Sequence, residues 1–104
     1  LSRASDNILR LYNVYNFPNP FTNDTQFCFE VTNNVRLKIA IYSLGGRKVW
    51  SYLNENINSG YNSIEWNGKD SYNSEIANGV YLYKIEAFGN NSKTSYIGKC
   101  AKYQ

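Results

Sequence analysis

The chain has 104 residues, the size of one domain, with a net charge of +3 and 18% charged residues. It contains no histidine, which excludes the commonest general base and the commonest zinc ligand of proteins. Its cations are dispersed along the sequence rather than grouped in one block, so the sequence predicts no nucleic-acid partner.

The first half of the chain consists of runs that alternate apolar and polar residues, as half-buried strands do. Runs 9–17 and 25–31 are predicted as strands, and the second places Phe27, Phe29 and Val31 opposite Gln26, Cys28 and Glu30. The clearest alternation covers 35–44, where one face carries Val35, Leu37, Ile39 and Ile41. The pair Gly45-Gly46 then predicts a hairpin into a strand over 47–53.

The second half continues the pattern, with a predicted polar loop over 54–62 and a turn-rich segment over 67–79. Further strands are predicted over 62–66, 79–88 and 93–103. Short strands with turns between them predict an all-β, immunoglobulin-like antiparallel β-sandwich of about seven strands, with a small barrel as the alternative. No apolar run approaches the ~20 residues of a membrane helix, so no transmembrane segment is predicted. An export signal is expected upstream of residue 1.

Two prolines follow the first strand closely, in the stretch Asn16-Phe17-Pro18-Asn19-Pro20-Phe21. Each proline fixes φ near −65° and lacks an N–H, so this stretch cannot continue a ladder. We predict a rigid corner that carries the chain between sheets, with Phe17 or Phe21 anchored in the core. A ligand for a proline-binding module is the alternative.

The segment that begins at Trp66 contains oxygen-bearing side chains at nearly alternate positions: Asp70, Asn73 and Glu75. This spacing weakly resembles that of a calcium loop, but the segment lacks the glycine at the required position and has too few acidic residues for an EF-hand. The favoured interpretation is that Asp70 binds loop backbone N–H groups and that Trp66 fills the core. The sequence therefore predicts no metal and no cofactor.

Cys28 and Cys100 are the two cysteines of the chain. They form a disulfide if their strands are neighbours, or remain two free thiols, and the sequence leaves both alternatives open. Because Cys28 alternates with Gln26 and Glu30, it is expected to face solvent. A catalytic thiol needs a base, and the chain has no histidine for that role.

Three aromatic residues, Tyr42, Trp50 and Tyr52, are candidates for one outward strip on a sheet. Such a strip can stack on sugar rings, and it supports a carbohydrate-binding or adhesion module as an alternative function. The other interpretation is cross-strand aromatic pairing that stabilises the sheet.

Taken in order, the stretches YNFPNPFTNDTQFCFEV, VRLKIAIYSLGGRKVW and GYNSIEWNGKDSYNSEIANGVYLYKIEA resemble the FlgD-like immunoglobulin domain, the C-terminal sorting domain of type IX secretion system proteins. The marks that carry the resemblance are Pro18, Asn19, Pro20, Phe21, Gly46, Trp66, Gly68, Asp70, Gly79 and Tyr81, with a lysine-bearing last strand. The resemblance implies a non-catalytic domain of an exported protein, located at the periplasm, outer membrane, cell surface or outside the cell.

The same resemblance implies two partners, the outer-membrane secretion machinery and the upstream domains of a longer parent protein. It implies recognition through the last strand, for which the candidate residues are Lys93, Tyr96, Lys99 and Lys102. A structural role of the FlgD type, as in a flagellar-hook cap protein, is another alternative.

The opening of the chain also resembles the tail of gingipain-type cysteine peptidases that act as the sortase of that system. This resemblance implies that the parent is a cysteine peptidase or another secreted hydrolase, while the present domain is no enzyme. We expect residues 1–11 to be a leading segment or linker and residues 12–104 to form the domain.

Overall fold

The computed structural model describes residues 8–104, which form seven β-strands in two antiparallel sheets. The strands are β1 (Leu11–Phe17), β2 (Thr25–Val31), β3 (Val35–Ser43), β4 (Lys48–Ile57), β5 (Gly60–Trp66), β6 (Gly79–Phe88) and β7 (Lys93–Lys102). One sheet has the order β1-β2-β5 and the other the order β4-β3-β6-β7. The predicted all-β sandwich of about seven strands is confirmed. Across residues 8–104 there is no helix long and apolar enough to cross a membrane.

The core lies between the sheets and consists of the side chains that alternate inward along each strand. On β3 and β6 the alternation seen in the sequence is reproduced, since every second side chain is buried. At one end of the core the ring of Trp66 lies 5.3 Å from that of Phe21 and 6.2 Å from that of Phe27, measured between centroids. Burial of one large apolar side chain contributes about 1.5–3 kcal/mol, so packing between the sheets dominates the stability.

The prediction of a polar loop over 54–62 is wrong. Strand β4 continues to Ile57, and β5 begins at Gly60. Ile57 is buried and pairs with Val35, the first residue of β3, and this pairing keeps the polar residues before it in the ladder. Because β4 is an edge strand, its polar side chains remain in contact with water.

The three aromatic residues of the predicted sugar-binding strip lie on opposite faces of the four-stranded sheet. Trp50 pairs with Ile41 and Tyr52 pairs with Ile39, and directly paired residues share a face. Both rings therefore lie on the core side, where they stack on each other with centroids 6.1 Å apart. Tyr42 follows Ile41 and points outward. Because Tyr42 faces outward by the alternation of β3 while Trp50 and Tyr52 face the core through their pairing partners, the predicted outward strip is not formed.

The prediction that Cys28 faces solvent is wrong, because its side chain is only 5% exposed. It lies on the outer face of the three-stranded sheet beside Tyr15 and Tyr61, whose side chains line the same depression. The nearby Cys28 thiol and Tyr15 hydroxyl raise the pKa of Tyr61 to about 12. Cys100 is buried on β7, and burial raises the pKa of its thiol to about 12. Both thiols are free, which resolves the alternative that the sequence left open.

A bulge at Asn13 interrupts the alternation of β1. Asn13 has a left-handed backbone with φ of 52°, and the register with β2 shifts between Tyr12 and Tyr15. The Asn13 side-chain amide donates a hydrogen bond to a Glu30 carboxylate oxygen at 2.8 Å. As a result Tyr12, Tyr15 and Phe17 all lie on the outer face of the three-stranded sheet, and all are exposed.

The residues just before β1 pack against the sandwich. Leu9 belongs to the buried core. The Arg10 N–H donates to the Thr32 hydroxyl at 2.9 Å, and the Thr32 N–H donates back to the Arg10 carbonyl at 3.1 Å. Most of the predicted leading segment 1–11 lies outside the described residues, so the boundary at residue 12 stays a prediction.

Candidate docking edge

Strand β7 lies at one edge of the four-stranded sheet. It pairs with β6 along its whole length, from Lys93 opposite Phe88 to Lys102 opposite Gly79. Within residues 8–104 no other strand pairs with β7, although an isolated bridge joins Phe21 to Lys102 on its outer side. An edge strand presents unpaired backbone donors and acceptors to its surroundings, so β7 is the first candidate for a docking element.

The stretch Pro18–Phe21, which we name the proline clip, crosses from the three-stranded sheet to this edge. Both X–Pro peptide bonds in it are cis. Of the two predicted anchors, Phe21 is fully buried against Trp66, whereas Phe17 is 69% exposed. The clip therefore behaves as the predicted corner between sheets, with Phe21 as its anchor.

The clip forms four hydrogen bonds with the last third of β7 and with Tyr103 directly after it. The Phe21 N–H donates to the Ala101 carbonyl at 2.8 Å, and the Tyr103 N–H donates to the Phe21 carbonyl at 2.9 Å. The Asn19 side chain acts as a second partner, since its amide donates to the Lys99 carbonyl at 3.3 Å and its oxygen accepts from the Ala101 N–H at 3.0 Å. Asn19 thus substitutes for a paired backbone at a position where prolines prevent one.

These bonds show which backbone groups of β7 point away from β6. Because the Ala101 N–H and carbonyl face the clip, alternation along the strand directs those of Ser95 and Ile97 the same way. The N–H of Lys99 also points outward, whereas its carbonyl is bonded to Asn19. The stretch from Lys93 to the N–H of Lys99 is consequently the part of this edge that the clip leaves uncovered.

The candidate residues of the last strand occupy different surfaces. Lys93 and Lys99 are exposed on the outer face of the four-stranded sheet, and the Lys93 ammonium lies 3.5 Å from the Glu86 carboxylate. Tyr96 alternates to the other face, is 40% exposed, and packs its ring 6.2 Å from that of Tyr83. These three residues flank the uncovered stretch but do not form a cluster with one another.

Lys102 differs from the other three because it is only 2% exposed. Its ammonium donates a hydrogen bond to a Glu75 carboxylate oxygen at 2.8 Å. This interaction with Lys102 lowers the pKa of the Glu75 carboxyl from its ordinary value of 4.5. A buried, paired lysine cannot contact a partner, so the structure gives Lys102 a position inside the domain rather than on the predicted recognition surface.

The turn-rich segment between β5 and β6 is held by its own backbone bonds. The Trp66 indole N–H donates to the Lys69 carbonyl at 2.9 Å, and one Asp70 carboxylate oxygen accepts from the N–H groups of Tyr72 and Ser74, both at 2.9 Å. This is the favoured interpretation of Asp70 and Trp66 from the sequence. Among the described residues, no three His, Cys, Asp or Glu side chains gather in a metal-binding arrangement.

The remaining motif residues lie in the turns and strands at the same end of the sandwich. Gly68 has φ of +74°, and a Cβ there would collide with the Asn23 carbonyl, so the proline corner and this segment approach closely. Gly79 begins β6 opposite Lys102. Gly46 has φ of +96° in the turn between β3 and β4, and the Tyr81 hydroxyl donates to the Ala77 carbonyl at 2.6 Å. These motifs shape the end of the domain at which β7 finishes.

Residues 15–99 match the family described as the secretion system C-terminal sorting domain. No curated protein matches. Among solved structures, dimeric latent PorU of Porphyromonas gingivalis is similar over 91% of this chain, with a TM-score of 0.75 and 23% identity. PorZ of the same organism, described as an essential surface component of the type IX secretion system, is similar over 88% of this chain, with a TM-score of 0.55 and 20% identity.

The present chain spans 10% of the PorU chain and 12% of the PorZ chain. At these identities the two structures establish the shared fold. The family match covers most of the sandwich, from β1 into β7. It confirms the sequence-based resemblance to a sorting domain, while the FlgD-like attribution stays a prediction. This chain belongs to the family of secretion-system C-terminal sorting domains, and it is therefore part of an exported protein.

Proposed function

We propose that this chain is the domain through which a longer exported protein is delivered to the type IX secretion system, and that the machinery recognises the uncovered edge of β7. The observation that carries the proposal is the hydrogen-bonding state of β7. The clip covers the strand from the Lys99 carbonyl onward, while the outward groups of Ser95 and Ile97 have no paired strand within residues 8–104.

Such an edge binds an extended segment of a partner by adding a strand to the sheet. Main-chain hydrogen bonds supply affinity, and the side chains on both sides of the edge supply selectivity. Lys93 and Lys99 lie on one side of the edge and Tyr96 on the other. The three exposed candidates from the sequence therefore serve as flanking contacts, whereas Lys102 positions the end of the strand.

In this proposal the domain directs the parent protein to the secretion system, and catalytic activity lies in other domains of that parent. Two carboxylates of the turn-rich segment form structural hydrogen bonds: Asp70 accepts from loop N–H groups, and Glu75 accepts from the Lys102 ammonium. The similarity to a small share of the PorU and PorZ chains supports a longer parent. We propose a cysteine peptidase or another secreted hydrolase in that place, joined through residues 1–11, with the outer-membrane machinery as the partner.

To test whether the β7 edge is recognised, the experiment removes one outward-pointing backbone N–H of that edge, the N–H of Ile97. Ile97→Pro removes that donor and places a ring at the edge, and its N–H takes no part in the ladder with β6 because it points outward. The variant is made in the full-length parent in its native host, and the exported fraction is measured by immunoblotting of cell and medium fractions. We expect export to fall at least tenfold, on the order of 1.4 kcal/mol of lost recognition.

Ile97→Val is the matched control, since it keeps the N–H and the branched side chain, and its export is expected to equal that of the native protein. Far-UV circular dichroism and thermal unfolding of the domain confirm that each variant is folded. Ser95→Pro blocks the neighbouring outward position if Ile97→Pro is unfolded. Normal export of a folded proline variant would show that the edge is not the recognised element.

A further inference from the structure

Basic residues are segregated between the two sheets. The three strands of the sheet β1-β2-β5 contain no lysine or arginine. The strands of the four-stranded sheet contain Arg36, Lys38, Lys48, Lys84, Lys93, Lys99 and the buried Lys102. The sequence shows these cations as scattered, so their gathering in one sheet is a property of the fold.

Six of these cations share the outer face of their sheet, as the strand pairing demonstrates. Arg36 pairs with Phe88, which pairs with Lys93, and Lys84 pairs with Ala40. Tyr42 lies between Lys48 on one side and Leu82 on the other, and Leu82 pairs with Lys99. Since paired residues share a face, we name this surface, opposite the core, the basic face; its cations are Arg36, Lys38, Lys48, Lys84, Lys93 and Lys99.

The basic face carries few opposing charges. Glu86 lies within it, 3.7 Å from the Lys84 ammonium and 3.5 Å from that of Lys93. Glu55 lies near its end, in the surface depression that Arg36 also lines. Among residues 8–104, two carboxylates against six cations leave this face strongly positive, whereas the outer face of the other sheet carries Glu30 and Glu65.

The shape and composition of the basic face favour a flat, polyanionic partner. Four strands and four rows of paired residues span roughly 14 by 20 Å at ordinary sheet spacings. Five of the six cations are lysines, a residue that protein–protein interfaces disfavour and lipid headgroups attract. Two apolar side chains stand exposed among them, Leu53 at 55% and Ile97 at 62%, where they can enter the headgroup region.

We propose that the basic face docks on an anionic phospholipid surface, with the cations against headgroup phosphates and Leu53 and Ile97 between them. The Arg36 guanidinium, held 4.7 Å above the Phe88 ring, presents a fork that suits a phosphate. This contact orients the domain with its acidic, aromatic sheet away from the lipid. This face adjoins the β7 edge and shares Lys93, Ile97 and Lys99 with it, but four of its six cations lie on β3, β4 and β6.

The test is sedimentation of the 104-residue chain with vesicles of phosphatidylcholine, with and without phosphatidylglycerol. Binding is expected with phosphatidylglycerol alone. It should weaken strongly when salt rises from about 0.01 to about 0.15 M, since the Debye length falls from roughly 30 to 8 Å. The double variant Lys38→Glu/Lys48→Glu should lower the partition coefficient at least tenfold without touching β7.

Arg10→Glu/Lys69→Glu is the matched control. It changes the net charge equally at positions off the four-stranded sheet, and its partition coefficient should stay within about twofold of the native value. Equal losses in both double variants, or no binding to phosphatidylglycerol vesicles at low salt, would refute the proposal. Binding to polyglutamate but not to vesicles would also refute it and would identify an acidic polypeptide as the partner.

Discussion

The ammonium of Lys102, the last residue of β7, lies 2.8 Å from a carboxylate oxygen of Glu75. The lysine side chain is almost fully buried, while that of Glu75 is 62% exposed. The pair therefore joins the end of β7 to the turn-rich segment before β6. Glu75 is the carboxylate that pairs with this buried ammonium within residues 8–104, and a buried charge depends on such a partner.

Glu75→Gln should destabilise the domain, because it leaves the Lys102 ammonium buried without a negative charge beside it. We expect Tm to fall by about 5 °C or more. Glu65→Gln, at an exposed position of β5, is the control and should change Tm by less than about 2 °C. Differential scanning calorimetry measures both, and an unchanged Tm for Glu75→Gln would mean that Lys102 finds another partner.

The same pair should make stability depend on pH in the acidic range. The hydrogen bond from Lys102 lowers the pKa of the Glu75 carboxyl in the folded protein below 4.5. At acidic pH the unfolded chain therefore binds more protons than the folded protein does, and the free energy of unfolding rises with pH. The contribution of this ion pair to the free energy of unfolding is present above about pH 4.5 and is lost as the pH falls through the pKa of Glu75 in the folded protein. Urea unfolding between neutral and acidic pH should show the native protein and Glu75→Gln converging; a constant gap would contradict this linkage.

Gly98→Ala should destabilise the sandwich. A Cβ at Gly98 would lie 2.5 Å from the ring of Tyr83, which is buried on the paired position of β6. The ring must move within a packed core, at a cost of about 1–3 kcal/mol. Gly45→Ala is the control, since its Cβ would meet only the Ser43 hydroxyl at 3.9 Å, and its effect should stay below about 0.5 kcal/mol. Urea denaturation compares the two, and equal effects would contradict the packing argument.

Asn19→Ala should loosen the contact between the proline clip and β7. The variant loses the bonds to the Lys99 carbonyl and the Ala101 N–H, so we expect about 1 kcal/mol of destabilisation. Hydrogen exchange should accelerate at the Ala101 amide. Asn90→Ala, in the exposed turn between β6 and β7, should leave that amide unchanged. Unaltered protection at Ala101 in Asn19→Ala would show that the side-chain bonds do not hold the clip.

The strands were predictable where one face is apolar and the other polar. Alternation alone located β3 and β6, because their inner side chains are all apolar or aromatic. It failed for the end of β4, where Asn54, Glu55 and Asn56 precede a single buried isoleucine. Pattern counting assigns such residues to a loop, whereas pairing with β3 keeps them in the sheet.

The site was less predictable because it depends on long-range pairing. The last strand could be named from the resemblance, but Lys102 could not be separated from Lys99 without knowing which face each occupies. Nothing local indicates that the amide of Asn19 bonds to residues 80 and 82 positions later. Likewise, the cations form one face only through the order β4-β3-β6-β7, which a single sequence does not display.

The proline clip has a consequence for any chain that adds to β7. A strand that pairs outward from Ser95 reaches Asn19 just beyond Lys99, where the acceptor is already occupied. Pairing of the added strand must stop there, so a partner can contribute only a short segment, of roughly seven residues opposite Lys93 to Lys99. The domain thus limits both the length and the alignment of what it accepts, and the same obstruction hinders copies of the domain from stacking edge to edge into fibrils.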